Sequence, residues 1–414
     1  MRITRVAAMV VIAAIVAPAA ELTKDQWREN LAVLAKELPA RHVNLFFQLP
    51  RVEWEKRVAS LDGAIANLSD YQIRIEMTKL VAAVGDSHTR INGVLGDDGR
   101  YLYLGCREFG DGLYVIDTIV PYGEAMGARI VSVDRMEIAD VRRRVDALVG
   151  AENEVARSTM RTRYLSDAML LKELGVLRSA EQAEFVFERE GRRFAMTVKT
   201  LPARRRMADA ERPVHVALPD PPPLWLKRRA EPYWFAWLSD SKTLFVQYNS
   251  CRNDEKLPFA KFTEQVVAQA RQAAPERLVI DLRHNSGGDS SVSDPLMRAI
   301  SRERVLRPSG GTYVLIGAPT FSSGEMVAMQ LKREHRAVLV GEAAGQKPNH
   351  NGDVRMFSLP HGEIQVAHST KHFVTMPGSD PTSLMPDRVV VMTAADYVAG
   401  RDPVLEAVIR KERN

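Results

Sequence analysis

The sequence predicts an α/β protein, with a largely parallel sheet in its carboxy-terminal half behind a helical segment and a mixed α+β region. After residue 233, apolar strand-like runs alternate with helical patterns, an order typical of βαβ units. One run, 278–282, is apolar almost throughout, as expected of a strand buried on both faces. Near the amino terminus, Trp27, Leu31 and Leu34 recur at helical spacing.

The amino-terminal half divides into a helical cap, residues 21–95, and a mixed region, residues 96–201. Helical spacing covers residues 22–82 and stops before residues 85–89, which are a loop by composition. The mixed region contains a helical insertion near residues 150–180. Its predicted strands are 101–104, 113–116, 128–133, 184–187 and 194–198, and its predicted helices are 138–148 and 168–177.

Residues 202–232 form a predicted connector, and residues 233–414 form the predicted α/β core. The connector holds seven of the 22 prolines, which lack the N–H that helix interiors and inner strands require. The predicted core strands are 243–248, 278–282, 312–316 and 337–340, and the predicted core helices are 259–273, 294–301 and 324–333.

Residues 1–20 have the pattern of a secretory signal peptide: Arg2 and Arg5, an apolar run, and an Ala-x-Ala end. An uncleaved anchor is the alternative, although the run is short for a bilayer. Without this leader the net charge falls from +5 to +3, and no aromatic-interleaved basic stripe is present, so nucleic-acid binding is not expected. We expect a secreted or periplasmic protein with no stable membrane insertion after signal cleavage.

The cysteines and histidines do not indicate a cofactor. Cys106 and Cys251 are the only cysteines, and neither lies in a CxxC pair or beside a histidine. An oxidising compartment would permit a bridge between them, which the sequence leaves open. No HExxH or phosphate-binding glycine motif occurs, so neither a metal nor another cofactor is predicted.

The most informative position is Ser322, between a predicted buried strand and a predicted helix. Ser322-x-x-Glu325 has the form of a capping box, in which the serine only caps the helix. The same position suits a nucleophile, because the first amides of a helix lack partners. Those amides, Ser323 and also Gly324, could hold a developing oxyanion.

A second oxyanion donor and a base also have candidates. Gly287 and Gly288 follow the buried strand at the sheet edge where ligands usually bind, and glycine lets the backbone approach a ligand closely. Lys347, just past a strand, could deprotonate the serine if desolvated. His88, in the loop 85–89, is the other candidate base.

Together these stretches resemble the S41 family of serine peptidases, which includes the tail-specific (C-terminal processing) and tricorn-like branches. Residues 281–288 are similar to its D-L-R-x-N-x-G-G stretch, 320–325 to its T-x-S-A-x-E turn, and 341–347 to its G-E-x-x-G-x-K stretch. The resemblance implies a ClpP/crotonase-like core, Ser322 as nucleophile, and Gly288 with the Ser323 amide as oxyanion hole. It implies Lys347 as base in the tail-specific branch.

In the tricorn-like branch, the resemblance implies instead a histidine base preceded by serine, as at His88, supported by a distant acid. Asp380 lies close to where that branch places a glutamate. Pro348 departs from the tail-specific pattern and pushes Lys347 toward extended geometry. We therefore favour His88, Ser322 and Asp380, with Lys347 as the alternative base. Glu325 is expected to cap the helix.

Residues 128–138 resemble the hairpin of a PDZ-like module, with Arg135 where glycine is usual and without the peptide-binding loop signature. This resemblance implies capture of a substrate carboxy terminus by strand addition. The sequence thus predicts a secreted serine endopeptidase acting on polypeptides. The alternatives are a non-catalytic carrier on the same fold, and a hydrolase of non-peptide esters.

Overall fold

The computed structural model describes residues 21–92, 99–202, 213–215 and 222–410. The predicted leader, residues 1–20, lies outside this part of the chain, as do residues 203–212 and 216–221 of the predicted connector. Within the described ranges, no helix combines the length and the apolar character needed to cross a bilayer.

Helices form the amino-terminal region, as the spacing of its apolar residues predicts. They are α1 (Lys24–Arg41), α2 (Arg51–Ala64) and α3 (Asp70–Ala82). Capping boxes at Thr23 and Ser69 satisfy the first amides of α1 and α3. The buried side chains of these helices, Trp27 and Trp54 among them, share one hydrophobic core with Ile364. The amino-terminal helices therefore pack against a segment that lies more than 300 residues after Trp27 and Trp54 in the chain.

The mixed region contains an antiparallel sheet flanked by short helices. The elements of this region and its surroundings are β1 (Arg90–Asn92), β2 (Arg100–Tyr101), β3 (Leu104–Phe109), β4 (Gly112–Ile119), β5 (Arg129–Val133), β6 (Met136–Glu137), α4 (Ile138–Asp146), α5 (Glu154–Arg161), α6 (Ala168–Glu173), β7 (Gln182–Arg189), β8 (Arg192–Lys199), β9 (Leu201–Pro202) and β10 (Pro213–His215). The sheet has the strand order β10-β4-β5-β7-β8. Strand β3 also pairs with β4, and β6 pairs with β5.

One sequence prediction needs correction here. The predicted strand 101–104 is interrupted, because Leu102 donates its amide to the Ser166 carbonyl and buries its side chain in the core of the mixed region. The predicted connector also contains regular structure: β10 pairs with β4, and residues 224–226 form a helical turn. Strand β10 begins at Pro213 and lies at the edge of its sheet, where a missing N–H is tolerated.

The carboxy-terminal half is the predicted α/β core. The elements of this half are β11 (Tyr233–Leu238), β12 (Thr243–Tyr248), α7 (Phe259–Ala273), β13 (Arg277–Asp281), α8 (Asp294–Arg302), β14 (Thr312–Ile316), α9 (Ser323–His335), β15 (Val338–Gly341), β16 (His350–Ser358), β17 (Gln365–Phe373), β18 (Arg388–Val389), α10 (Ala394–Val398) and α11 (Pro403–Ile409). The main sheet has the order β11-β12-β13-β14-β15-β18, in which β11 is antiparallel to β12 and the other neighbours are parallel.

Strand β13 is buried on both faces, as its apolar run predicts. Leu278 and Ile280 face the core beneath α7, α8 and α9. Val279, between them, faces the opposite core, which contains Val404 and Leu405 of α11. The strand is thus held from both sides, and the loop that follows Asp281 starts from a fixed point.

Two arrangements bring distant loops to the same edge of the core sheet. The parallel strands β13, β14 and β15 end there side by side, so the loops that follow them are neighbours. A second sheet has the order β1-β17-β16, and β1 begins at Arg90, directly after the loop 85–89. Pairing of β1 with β17 therefore anchors that loop from the amino-terminal region onto the carboxy-terminal core.

Candidate active site

Ser322 lies at the start of α9 in a backbone conformation that few side chains adopt. Its φ of 51° and ψ of −130° fall in the region that favours glycine, and a serine held there is strained. The predicted capping box is wrong, because the Ser322 side chain makes no capping hydrogen bond. Its Oγ lies instead 3.1 Å from Nε2 of His88. Two residues 234 positions apart thus meet at the sheet edge.

His88 is buried against the turn that carries Ser322. Its ring packs against Phe321, with ring centroids 4.7 Å apart, and stacks on His350 at 5.9 Å. Burial lowers the pKa of His88 to about 4, although the Asp86 carboxylate acts in the opposite direction. The imidazole is therefore neutral near pH 7, and its Nε2 can accept a proton from the serine hydroxyl.

Asp86 is the buried carboxylate behind His88, and sequence reasoning missed it. Its Oδ1 lies 3.9 Å from His88 Nδ1 and accepts the His88 amide at 3.0 Å. Burial alone would raise the pKa of Asp86, but hydrogen bonds and the nearby His88 ring outweigh burial and lower it to about 2. Its Oδ2 accepts hydrogen bonds from His42 Nε2 (2.9 Å), Thr89 Oγ1 (2.5 Å) and Ser369 Oγ (2.7 Å).

His42 donates a hydrogen bond to Asp86 and holds the carboxylate in place. Its Nδ1 accepts the Asn44 amide at 3.0 Å, which leaves the proton on Nε2, the atom that faces Asp86. A signal for Asp86 does exist in the sequence, because an aspartate two residues before the histidine can accept that residue's amide in an Asx-turn. The structure contains this bond.

The glycine loop after β13 lies directly against the Ser322 turn. Gly287 and Gly288 have φ values of 104° and 133°. A Cβ on Gly287 would lie 2.7 Å from the Ser322 Cβ, and one on Gly288 would lie 2.3 Å from the Cys251 carbonyl oxygen. Only glycine fits this close approach. Asn285 fixes the loop by accepting the Gly287 amide at 2.9 Å.

Two backbone amides beside Ser322 are available to a ligand. The Ser323 hydroxyl donates to the Gly288 carbonyl at 2.7 Å, which joins the two turns. Among the described residues, the amides of Ser323 and Gly288 have no acceptor. Behind them, Arg283 forms a buried ion-pair network with Asp281 and Asp402, so it braces the loop.

Lys347 and Asp380 bind each other at the protein surface. Lys347 Nζ lies 2.6 Å from Asp380 Oδ2, and the Asp380 side chain is 62% exposed. Within the described part of the chain, Asp380 makes no contact with His88, and Lys347 makes none with Ser322. The expectation that Asp380 stands behind His88 is therefore corrected: that place is taken by Asp86.

The orientation of Lys347 has a simple physical reason. The residue before a proline is held extended, and adjacent side chains in extended chain point to opposite sides. Gln346 is fully buried and accepts the Ser322 amide at 2.9 Å, so Lys347 points outward. Gln346 is a further residue of the site that sequence reasoning missed.

Two other carboxyl groups are buried close to the site. Glu325 makes no capping bond. Both of its carboxylate oxygens lack a hydrogen-bond partner among the described residues, and burial raises its pKa well above the usual value. Burial, followed by the charge of Asp86, raises the pKa of Glu152 to about 7. Glu152 binds the amide and hydroxyl of Ser87 and so supports the loop that carries His88.

The two cysteines are free thiols, so the bridge that the sequence leaves open does not form. Burial raises the pKa of both, so neither is a reactive thiolate. Among the described residues, no group of three or more His, Cys, Asp or Glu side chains could hold a metal ion.

An open cleft of about 840 Å³ gives access to the site. Its lining includes Ser322, Ser323 and Gly288, together with residues of α5 and of the start of β1. A serine hydroxyl hydrogen-bonded to a neutral imidazole, a buried carboxylate behind the imidazole and two available amides together suit nucleophilic attack on an acyl group.

Comparison with known proteins places this arrangement in a family context. Residues 242–390 match the model of peptidase family S41. Mature CPAF complexed with lactacystin is 14% identical, with 93% of this chain and 97% of that chain covered and a TM-score of 0.65. Mature CPAF is 13% identical, with 93% and 96% covered and a TM-score of 0.63. These two likenesses show a shared fold.

A photosystem II D1 C-terminal processing protease is 14% identical, with 88% of this chain and 93% of that chain covered and a TM-score of 0.44. No curated protein matches the sequence.

Proposed function

Because the chain belongs to peptidase family S41 and is a serine peptidase, we propose that it is an endopeptidase with Ser322 as nucleophile and His88 as base. The observation that carries the proposal is the 3.1 Å contact between Ser322 Oγ and His88 Nε2. This distance lies within the range that a general base needs in order to remove a proton.

In the first step, His88 takes the proton of Ser322 as Oγ attacks the peptide carbonyl. The pKa of about 4 keeps the free imidazole neutral, so nearly every molecule holds its base in the competent form at pH 7. The imidazolium that then forms is stabilised by the Asp86 carboxylate 3.9 Å away. His42 donates to Asp86 and holds the carboxylate in place.

The negative charge that develops on the carbonyl oxygen is stabilised by the Ser323 and Gly288 amides. Both belong to turns that pack against each other, so the two donors are positioned before substrate binds. The strained backbone of Ser322 puts Oγ beside them rather than in a capping position. The protonated His88 then gives its proton to the leaving amine, and water hydrolyses the acyl-enzyme.

The remaining elements have roles that follow from this activity. We propose that residues 1–20 direct the protein to a secreted or periplasmic compartment. The sheet of residues 96–201 would act as a PDZ-like module that presents polypeptide to the cleft, and residues 21–95 would act as a cap that anchors His88. The pairing of β1 with β17 supports the last assignment.

The test is turnover of casein and of a fluorogenic peptide by single variants. Ser322→Ala and His88→Ala should each lose at least about a thousandfold in kcat/KM, as expected when a member of a catalytic unit is removed. Lys347→Ala is the matched control and should retain turnover within about threefold, because its amine binds Asp380. Full activity of Ser322→Ala would overturn the mechanism, and loss with Lys347→Ala but not His88→Ala would make Lys347 the base.

A further inference from the structure

Two arginines line the active-site cleft, and neither has a partner in the part of the chain that the structure describes. Arg90 is the first residue of β1, two positions after His88, and Arg163 lies in the turn after α5. Among the described residues, neither guanidinium makes a hydrogen bond or an ion pair, and both side chains are exposed to the cleft. An unpaired arginine is ordinary on an open surface, but a pair of them beside a nucleophile is not.

The acidic groups near this pair are already engaged elsewhere. Arg161, two residues before Arg163, is buried and binds Asp146, Glu154 and Glu108. This network fixes the end of α5 and the turn that carries Arg163. The nearby carboxylates therefore pair with Arg161, and none of them pairs with Arg163, whose guanidinium lines the cleft.

The two acids of the cleft wall do not neutralise the pair either. Asp353 accepts from Thr370 and pairs with Lys371. Asp289 accepts the amide and hydroxyl of Ser291. Among the residues that the structure describes, no acid forms an ion pair with Arg90 or Arg163, although the charge of the buried Asp86 acts on Arg90.

Arg90 and Arg163 are close enough to affect each other and Tyr164. Partial burial lowers the pKa of Arg90 and the charge of Arg163 lowers it further, whereas Tyr164 and Asp86 act in the opposite direction. Burial raises the pKa of Tyr164, and both arginines oppose that rise. The three side chains line the same cleft and are near enough to influence one another, and the two guanidinium groups repel each other.

The surface next to these donors is apolar. Val149, Ala156 and Met160 form this part of the wall, and they lie in the same cleft as Ser322. Apolar surroundings strengthen an ion pair formed there, because they keep water away from the charges. Arginine and tyrosine together suit a carboxylate, which accepts several hydrogen bonds at once.

We propose that Arg90, Arg163 and Tyr164 form an anionic subsite that binds a carboxylate of the peptide substrate. The subsite gives the cleft a preference for peptides that carry an acidic group near the bond to be cut. The carboxylate is either an Asp or Glu side chain or the free carboxy terminus of the peptide. This inference rests on the proposed function, and it names the substrate class of the same site.

The test separates binding from catalysis. Binding of fluorescein-labelled peptides to the Ser322→Ala protein is measured by anisotropy, with three peptides of otherwise identical sequence. One has an internal Glu and an amidated end, one has Gln and an amidated end, and one has Gln and a free carboxy terminus. The Glu peptide, the free-acid peptide or both should bind about tenfold or more tightly than the neutral peptide, as for one charge-assisted contact. Which of them does so identifies the source of the carboxylate.

The same measurement is repeated with Arg90→Gln and Arg163→Gln added to the Ser322→Ala protein. Both changes together should abolish the preference while binding of the neutral peptide stays within about twofold. Arg192→Gln is the matched control, because Arg192 is an exposed arginine of β8 outside the cleft and its loss changes the net charge equally. It should leave the preference intact.

Equal binding of all three peptides to the parent protein would overturn the subsite, as would a preference that survives the double change. Neither result depends on turnover. If the wild type cleaves the peptides but binding shows no preference for a carboxylate, only the subsite is refuted. If binding shows the preference but the wild type does not cleave any of the peptides, only the peptidase activity is refuted.

Discussion

Replacing Asp86 by asparagine should greatly reduce turnover while it preserves the shape of the site. In the structure, Asp86 is fully buried, accepts hydrogen bonds from His42, Thr89 and Ser369, and faces His88. The change to asparagine removes the negative charge behind the imidazole with little change in volume. The neutral histidine remains, but the imidazolium that forms in the reaction loses its counter-charge.

The expected magnitude follows from one distance. His88 Nδ1 and Asp86 Oδ1 are 3.9 Å apart. Two unit charges at about that separation attract by about 4 kcal/mol at an effective dielectric constant near 20. If half or more of the proton has been transferred in the transition state, the loss is about 2–4 kcal/mol. This corresponds to a fall of about 30-fold to 1000-fold in kcat.

The assay is kcat on a fluorogenic peptide at pH 7, with thermal unfolding as the check on folding. Asp380→Asn is the matched control, because Asp380 is exposed and binds Lys347, and it should keep kcat within about twofold. Asp86→Asn should change kcat more than KM, since the lost interaction arises only as charge develops. The reasoning fails if folded Asp86→Asn keeps wild-type kcat, or if Asp380→Asn loses as much.

Three further outcomes are expected. The kcat/KM of the wild type should stay constant from pH 7 down to about 5 and fall only near pH 4, because burial lowers the pKa of the base His88 to about 4; an acid limb near 6.5 would contradict this. Gly288→Ala should lower kcat by at least about 100-fold, because its Cβ would collide with a backbone carbonyl and displace an oxyanion donor; wild-type kcat in the folded variant would contradict this. Ser322→Gly should have a free energy of unfolding about 1 kcal/mol or more above that of Ser322→Ala, and so a higher melting temperature, because glycine adopts the observed φ without strain. Equal melting temperatures would show that the strain is absent.

The α/β core could be predicted from the sequence because its strands are buried on both faces and are therefore apolar along most of their length. Helix α7 and strands β12 and β14 have the predicted bounds. Their order alone places the ends of β13, β14 and β15 at one edge, which is why the loops that carry Gly288 and Ser322 could be expected to meet. Strand 101–104 was wrong because a single tertiary contact, from Leu102 to Ser166, interrupts a run with strand composition.

The residue that supplies the carboxylate behind His88 could not be predicted in the same way. Asp380 was chosen because it lies close to where the tricorn-like branch places a glutamate, whereas its position depends on the path of the chain after β17 and on its pairing with Lys347. Asp86 is two residues from His88, but its burial depends on His42 and Ser369, which come from α1's end and from β17. Only the folded packing of the cap on the core brings these groups together.

Fluorophosphonate labelling, with the adduct mapped by mass spectrometry, tests the central claim most directly. The probe reacts with a serine only where a base and oxyanion donors activate it. A single adduct on Ser322 is predicted for the wild type, with labelling absent in Ser322→Ala and about 100-fold slower or more in His88→Ala. Failure of the wild type to label, or equal labelling of Ser322→Ala, would contradict Ser322 as the nucleophile.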